Sequence, residues 1–90
     1  MKYEWDPEKD QRNQARHGIG FEEAATVFGD DFALTWEDRA HSAQEYRTLT
    51  LRYTETHRLV IVAHTERDDR TRIITAREAT AVERRLYESG

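Results

Sequence analysis

The second half of the chain alternates apolar and polar residues with a period near two. "EYRTLTLRY" (45–53), "RLVIVAHTE" (58–66) and "TRIITAR" (71–77) are rich in β-branched and aromatic residues. The short polar breaks "TETH" and "RDDR" between them read as hairpin loops, so an antiparallel meander is expected. The first half changes period. "KYEW" alternates briefly and "FALTW" reads as another short strand, whereas "FEEAATVFG" puts Phe21, Ala24, Ala25 and Phe28 on one helical face and stops at Gly29. "EDRAHSAQ" is polar enough for a surface loop. The last segment opens with Thr80-Ala81-Val82-Glu83, a capping-box pattern, and then offers Val82 and Leu86 as a narrow apolar stripe beside Tyr87.

One segment has helical punctuation without an apolar face. In "DPEKDQRNQARHG", Asp6 can cap, Pro7 suits the first turn and Gly18 can end the helix in the left-handed conformation, yet Ala15 is its only apolar residue. Lys9, Asn13, Arg16 and His17 occupy the i, i+4, i+7 and i+8 positions that a packed helix gives to Leu, Ile or Phe. A polar stripe stands where a core stripe belongs.

With the two tetrapeptides as loops, Tyr53 lies opposite Arg58 and Glu66 opposite Thr71. The pleat then gathers Arg47, Leu49, Leu51, Val60, Val62, His64, Ile73, Thr75 and Arg77 on one face. On that register Arg47 sits across from His64 and Arg77 shares their face; a slip of one residue dissolves the group.

Composition narrows the class. Ninety residues make one domain, 1–90; the absence of cysteine excludes disulfides and thiolate metal sites, and nothing resembles a signal core or a membrane span. A soluble cytoplasmic protein without membrane partners is expected. The net charge of −4 hides a polarity: residues 1–45 carry 5 basic and 11 acidic side chains, residues 46–90 carry 9 and 7, and all nine are arginines. Arginine suits bidentate recognition of phosphate or carboxylate. The plainer reading is that these arginines pair with neighbouring acids on a solvated sheet.

Scattered glycines exclude a phosphate loop, and histidines at 17, 41, 57 and 64 lack metal-ligand spacing, so neither metal nor cofactor is expected. In "AHTERDDRTRIITAR", His64, Glu66, Arg67, Arg70, Arg72 and Arg77 surround one hairpin. A base, an acid and several guanidinium groups are the kit for metal-free cleavage of an RNA phosphodiester. Against this, His64 beside Glu66 also fits a hydrogen-bonded structural histidine, and Arg67 and Arg70 can simply neutralise Asp68-Asp69. His41 reads as a solvent-facing loop residue, His57 as a turn residue, and His17 as a cation at the helix C-terminus. Trp5, Trp36, Phe21 and Phe28 read as core.

"EWDPEKDQRNQARHGIGFEEAATVF" and "HTERDDRTRIITAREATAVERRLYE" together resemble the BrnT family, the toxin half of BrnT/BrnA toxin-antitoxin systems. The matching positions are Trp5, Asp6, Lys9, Asn13, His17, Gly18, Ile19, Phe21, Glu22, Glu23 and Ala24, then Arg72, Ile73, Ile74, Ala76, Arg77, Ala79, Glu83, Arg84 and Tyr87. Arg16 stands where Lys is usual and Thr75 where Ser is usual; both keep the functional group. The resemblance implies an α+β, RelE-like fold: a small antiparallel sheet of about four or five strands with two N-terminal helices and one C-terminal helix. It implies a ribonuclease that arrests translation, acting on RNA free or on the ribosome. A BrnA-type ribbon-helix-helix antitoxin would neutralise it and would supply any DNA contact.

It does not assign the catalytic residues. The residue types nominate His64, Glu66, Arg67, Arg72, Arg77 and Tyr87 for catalysis and Lys9, Arg16, Arg47 and Arg70 for RNA binding. On the polar helix, Asn13 and His17 are expected to bond to backbone or to the following helix, and Lys9 and Arg16 to face RNA or acidic antitoxin side chains. The alternative, favoured by the negative net charge, is a catalytically silent scaffold for a DNA-binding partner.

Overall fold

A computed structural model describes residues 2–43 and 45–89. Residue 44, the end of the expected polar loop, lies outside the described residues. The elements are β1 (Lys2–Glu4), α1 (Pro7–His17), α2 (Phe21–Ala24) running into a 3-10 turn (Ala25–Val27), β2 (Leu34–Glu37), a 3-10 turn (Arg39–His41), β3 (Thr48–Tyr53), β4 (Leu59–Arg67), β5 (Arg70–Glu78) and α3 (Ala81–Ser89). One sheet in the order β1-β5-β4-β3-β2 carries them. The expected meander forms from β2 to β5, but β1 pairs with β5 in parallel, so the sheet is mixed and not wholly antiparallel. No helix among the described residues is long and apolar enough to cross a membrane.

The sheet is packed on both faces. Ile19, Phe21, Ala24 and Val27 bury against Val60, Val62, Ile73 and Ala76, with Trp5 and Phe28 at the margin. On the opposite face Leu51, Leu59 and Ile61 are covered by Tyr53, Ala79 and Tyr87. The α3 stripe does not complete this second core: Val82 and Leu86 are 67% and 54% exposed. Trp36, on the edge strand β2, is also exposed. Apart from the Tyr87 ring, what ties α3 down is polar. Glu83 closes the capping box with Thr80 (2.8 and 3.2 Å) and receives both terminal nitrogens of Arg77 (2.8 and 2.9 Å), while Arg52 donates to the Tyr87 hydroxyl. The Arg77 guanidinium, followed by the backbone N–H of Thr80, holds the Glu83 carboxyl down at about 2.

Two local features overturn the expected register. Thr54 N–H donates to Arg58 O at 2.8 Å, so the first loop has three residues, Glu55 to His57, with His57 left-handed at φ 65. Tyr53 therefore faces Leu59, and Thr48, not Arg47, faces His64. The second hairpin begins as expected, with Glu66 opposite Thr71 across a two-residue turn. A bulge then leaves Ile74 without a partner between the pairs His64–Ile73 and Ala63–Thr75. Beyond it every β5 side chain is on the other face, so Ile73 and Ala76 both point to α1 and α2 while Thr75 and Arg77 point to α3. The grouping of Arg47, His64 and Arg77 is corrected accordingly: His64 lies on one face, both arginines on the other.

The polar helix is held by one buried side chain. Asn13 donates to Ile19 O and Ala76 O, both at 2.8 Å, and accepts from Ala76 N–H at 3.2 Å. It meets β5 as a neighbouring strand would. Asp6 caps α1 at Glu8 N (2.9 Å), Gly18 ends it at φ 70, and Asp10 reaches across to accept from Phe21 N (2.8 Å), capping α2, whose own cap position is glycine. His17, expected to bond in the same way, has no hydrogen-bond partner among the described residues.

Candidate active site

The side chains nominated from sequence fall into four places. His64 and Glu66 belong to a polar chain on the α1 and α2 face. His64 Nδ1 and Glu66 are 3.3 Å apart, His64 Nε2 and the Thr50 hydroxyl 2.7 Å, and Thr71 donates to Glu66 at 2.9 Å. The imidazole packs edge-on against Phe28, 4.7 Å between centroids. Burial pushes His64 below its ordinary value near 6.5, and Glu66 opposes this only in part. The adjoining hollow contains Asp30, Asp31 and Glu66, a surface that repels phosphate. A depressed histidine contributes stability that is complete above pH 6.5 and is lost as pH falls below it, because the unfolded chain takes the proton more readily. Urea unfolding of the wild type is therefore expected to weaken between pH 7 and pH 5, with that part of the slope absent in His64→Gln.

Arg77 and Tyr87 form the second place, the polar attachment of α3. Lys9 and Arg16 form the third, a groove beside α1. The fourth gathers Arg47, Arg67, Arg70 and Arg72 at one end of the α3 face, beyond the reach of the helix. Arg67 is bidentate to Glu45 (2.8 and 3.0 Å); Arg72 donates to Glu4 at 2.9 Å, and Arg70 stands 4.0 Å from the same carboxylate. Three of the four guanidinium groups share two carboxylates in these contacts, with Asp68 and Asp69 in the turn between Arg67 and Arg70.

Beside these arginines is a cavity of about 320 Å³ lined by His41, Ala43, Glu45, Arg47 and Thr65. Thr65 is 2% exposed, and its hydroxyl is a buried side-chain oxygen with no hydrogen-bond partner among the described residues. The loop before β3 is folded on itself to form the rim: Asp38 N–H donates to Arg47 O (2.8 Å), Ser42 Oγ donates to Asp38 O (2.7 Å) and accepts from Arg47 N–H (3.0 Å). This turn sets His41 Nδ1 3.1 and 3.2 Å from the two oxygens of the largely buried Asp38 carboxylate, leaving Nε2 free. The hydrogen bonds from Arg67, aided by the charges of Arg67, Arg72 and Arg47, hold Glu45 below the usual carboxylate range, so it is an ionised acceptor.

The cavity thus assembles an oriented imidazole, an ionised carboxylate, the Arg47 guanidinium, which has no partner among the described residues, and further arginines on its flank. Arg47, Arg67, Arg70 and Arg72 were visible in the sequence; His41, Asp38, Glu45 and Thr65 were not. The signal for the pair was the three-residue spacing of Asp38 and His41, which one tight turn brings together.

The fold, a small α+β domain with a mixed five-stranded sheet, is shared with a solved structure. The crystal structure of the ribonuclease toxin BrnT from Brucella abortus matches it with a TM-score of 0.70 at 22% identity, over 89% of this chain and 97% of that one. The family described as "Ribonuclease toxin, BrnT, of type II toxin-antitoxin system" matches residues 5–83, and the chain belongs to that family. Among curated proteins no relative matches.

Proposed function

We propose that the chain is the toxin of a type II pair, a metal-independent endoribonuclease working in the cytoplasm and silenced by a BrnA-like ribbon-helix-helix antitoxin. The observation that carries the reading is the convergence of His41, Glu45 and Arg47 on one cavity beside Thr65. Glu45 takes the proton of the RNA 2′-hydroxyl. The 2′-oxygen attacks the adjacent phosphorus, Arg47 and Arg72 stabilise the charge gathering on the phosphoryl oxygens, and His41 in its protonated form gives its Nε2 proton to the leaving 5′-oxygen. Phosphorus exchanges one ester oxygen for another, so the products are a 2′,3′-cyclic phosphate and a 5′-hydroxyl. No metal takes part. Arg67 holds Glu45 and Asp38 holds His41; both are positioning residues.

The test is cleavage of RNA by purified protein in excess EDTA, with end-group analysis. Wild type is expected to leave cyclic phosphate ends, Arg47→Ala to lose at least about tenfold in rate, and a 2′-deoxy substrate to remain intact. Activity that requires added metal, or equal rates in wild type and Arg47→Ala, would overturn the mechanism. A chain that binds its antitoxin but cuts no RNA would be the silent scaffold.

A further inference from the structure

Beside the polar helix runs a groove of about 330 Å³, with Lys9, Arg12, Arg16 and His17 along one wall and Ile74 and Thr75 as its floor. Seven of the chain's twelve arginines are matched internally: Arg39 to Glu37, Arg52 to Asp30, Arg58 to Glu23 and Glu78, Arg67 to Glu45, Arg70 and Arg72 to Glu4, Arg77 to Glu83. The side chains of Lys9, Arg12 and Arg16 form no salt bridge and no hydrogen bond among the described residues, and Glu8, one turn before Arg12, forms no ion pair with it. Unmatched like charges three and four residues apart disfavour an isolated helix. The helix C-terminus favours only the last of them, with His17.

The floor explains which anion the wall meets. Thr75 pairs with Ala63 and Arg72 with Thr65, and Ala63 and Thr65 are two apart on β4. Thr75 therefore shares the face of the candidate active site. It does so only because the bulge at Ile74 turns it there. At 1.5 Å per residue the three cations extend over about 10 Å of helix, enough to meet successive phosphates and not one. Among the described residues no Phe, Tyr or Trp lines the groove, so it offers a backbone charge and little stacking surface for bases beyond the His17 ring.

We propose that this groove is a second RNA subsite, which binds phosphodiester groups of the strand outside the cut and adds affinity without sequence preference. The inference rests on the ribonuclease reading. An acidic antitoxin segment is the other polyanion available, but protein interfaces are centred on apolar anchors. The exposed ones here, Val82 and Leu86 on α3, Phe32 before β2, Trp36 on β2 and Tyr46 before β3, lie on other elements.

The experiment compares the full chain with a Lys9→Ala, Arg12→Ala, Arg16→Ala triple variant of matched urea midpoint. Binding of 2′-O-methyl oligoribonucleotides, which resist this cleavage, is followed by fluorescence anisotropy across a salt series, at lengths of about 4 and about 12 nucleotides. The variant is expected to bind the longer strand about tenfold more weakly, with a slope of log K against log salt shallower by about 2. The shorter strand, and cleavage of its unmodified counterpart, should be unaffected. Equal loss for both lengths, no loss for either, or loss of antitoxin binding with RNA affinity intact would overturn the subsite. Wild type that shows the length-dependent binding yet cleaves nothing would remove the ribonuclease reading and leave the subsite standing.

Discussion

Asn13→Ala is expected to lower the unfolding free energy by about 3–5 kcal/mol, read from urea midpoints at constant slope. The side chain it removes is buried, and three backbone groups lose their partner at once: Ile19 O, Ala76 O and Ala76 N–H. Each unsatisfied buried group costs about 1–3 kcal/mol. A domain of this size has only about 5–13 kcal/mol in all, so the variant is expected to be partly unfolded at physiological temperature. Asn13→Asp separates the contributions. A carboxylate can still accept from Ala76 N–H but has no proton for the two carbonyls and repels them, so it should be no better than alanine. A shift of less than about 1 kcal/mol in Asn13→Ala would mean that α1 is held by Trp5 and Ile19 at its ends and not by its middle.

The second large effect concerns catalysis. His41→Gln is expected to reduce kcat/KM for RNA by about 10²–10⁴-fold without changing stability, since the ring is mostly exposed and its one partner, Asp38, keeps the Arg47 backbone contact. Leaving-group and pH dependence distinguish the roles. If His41 donates the proton to the 5′-oxygen, a substrate with a better leaving group there should recover much of the rate lost in His41→Gln. Glu45→Gln should abolish the acidic limb, which lies low because Arg67 keeps Glu45 ionised. Asp38→Asn should retain part of the rate, as befits a residue that acts through the ring. Equal rates and equal acidic limbs in all four proteins would remove this cavity from the reaction.

Much of the fold was legible because its signals are local. The caps of α1, the capping box of α3, the three central strands and their order follow from residues within a few positions of one another. Register was not, because it hangs on loop length and on one extra residue. "TETH" reads as a four-residue loop, but Thr54 joins the ladder and His57 accepts the left-handed turn. Nothing in "RIITAR" announces that Ile74 will be squeezed out of the pairing. One slip and one bulge were enough to move Arg47 and Arg77 away from His64. The site suffered for the same reason. Arginines around the hairpin were visible as a composition, whereas His41 reaches the cavity only through the loop that Ser42 and Asp38 close on Arg47. The narrow stripe of Val82 and Leu86 looked like core because spacing does not say whether a helix is held by its apolar or its polar side. Here Arg77 and Arg52 hold it, and the stripe faces out.

The longest strands of the sheet are β4 and β5, nine residues each, but β1 covers β5 only from Arg70 to Arg72. Past that point β5 would be a bare outer strand, a template onto which a second chain could add by hydrogen bonding. The Asn13 amide occupies that place at Ala76, giving one donor and one acceptor back to the backbone as a partner strand would. Loss of this amide thus does more than loosen a helix. It uncovers a hydrogen-bonding edge on a strand rich in isoleucine and threonine, so the unstable variant should also be the one that self-associates.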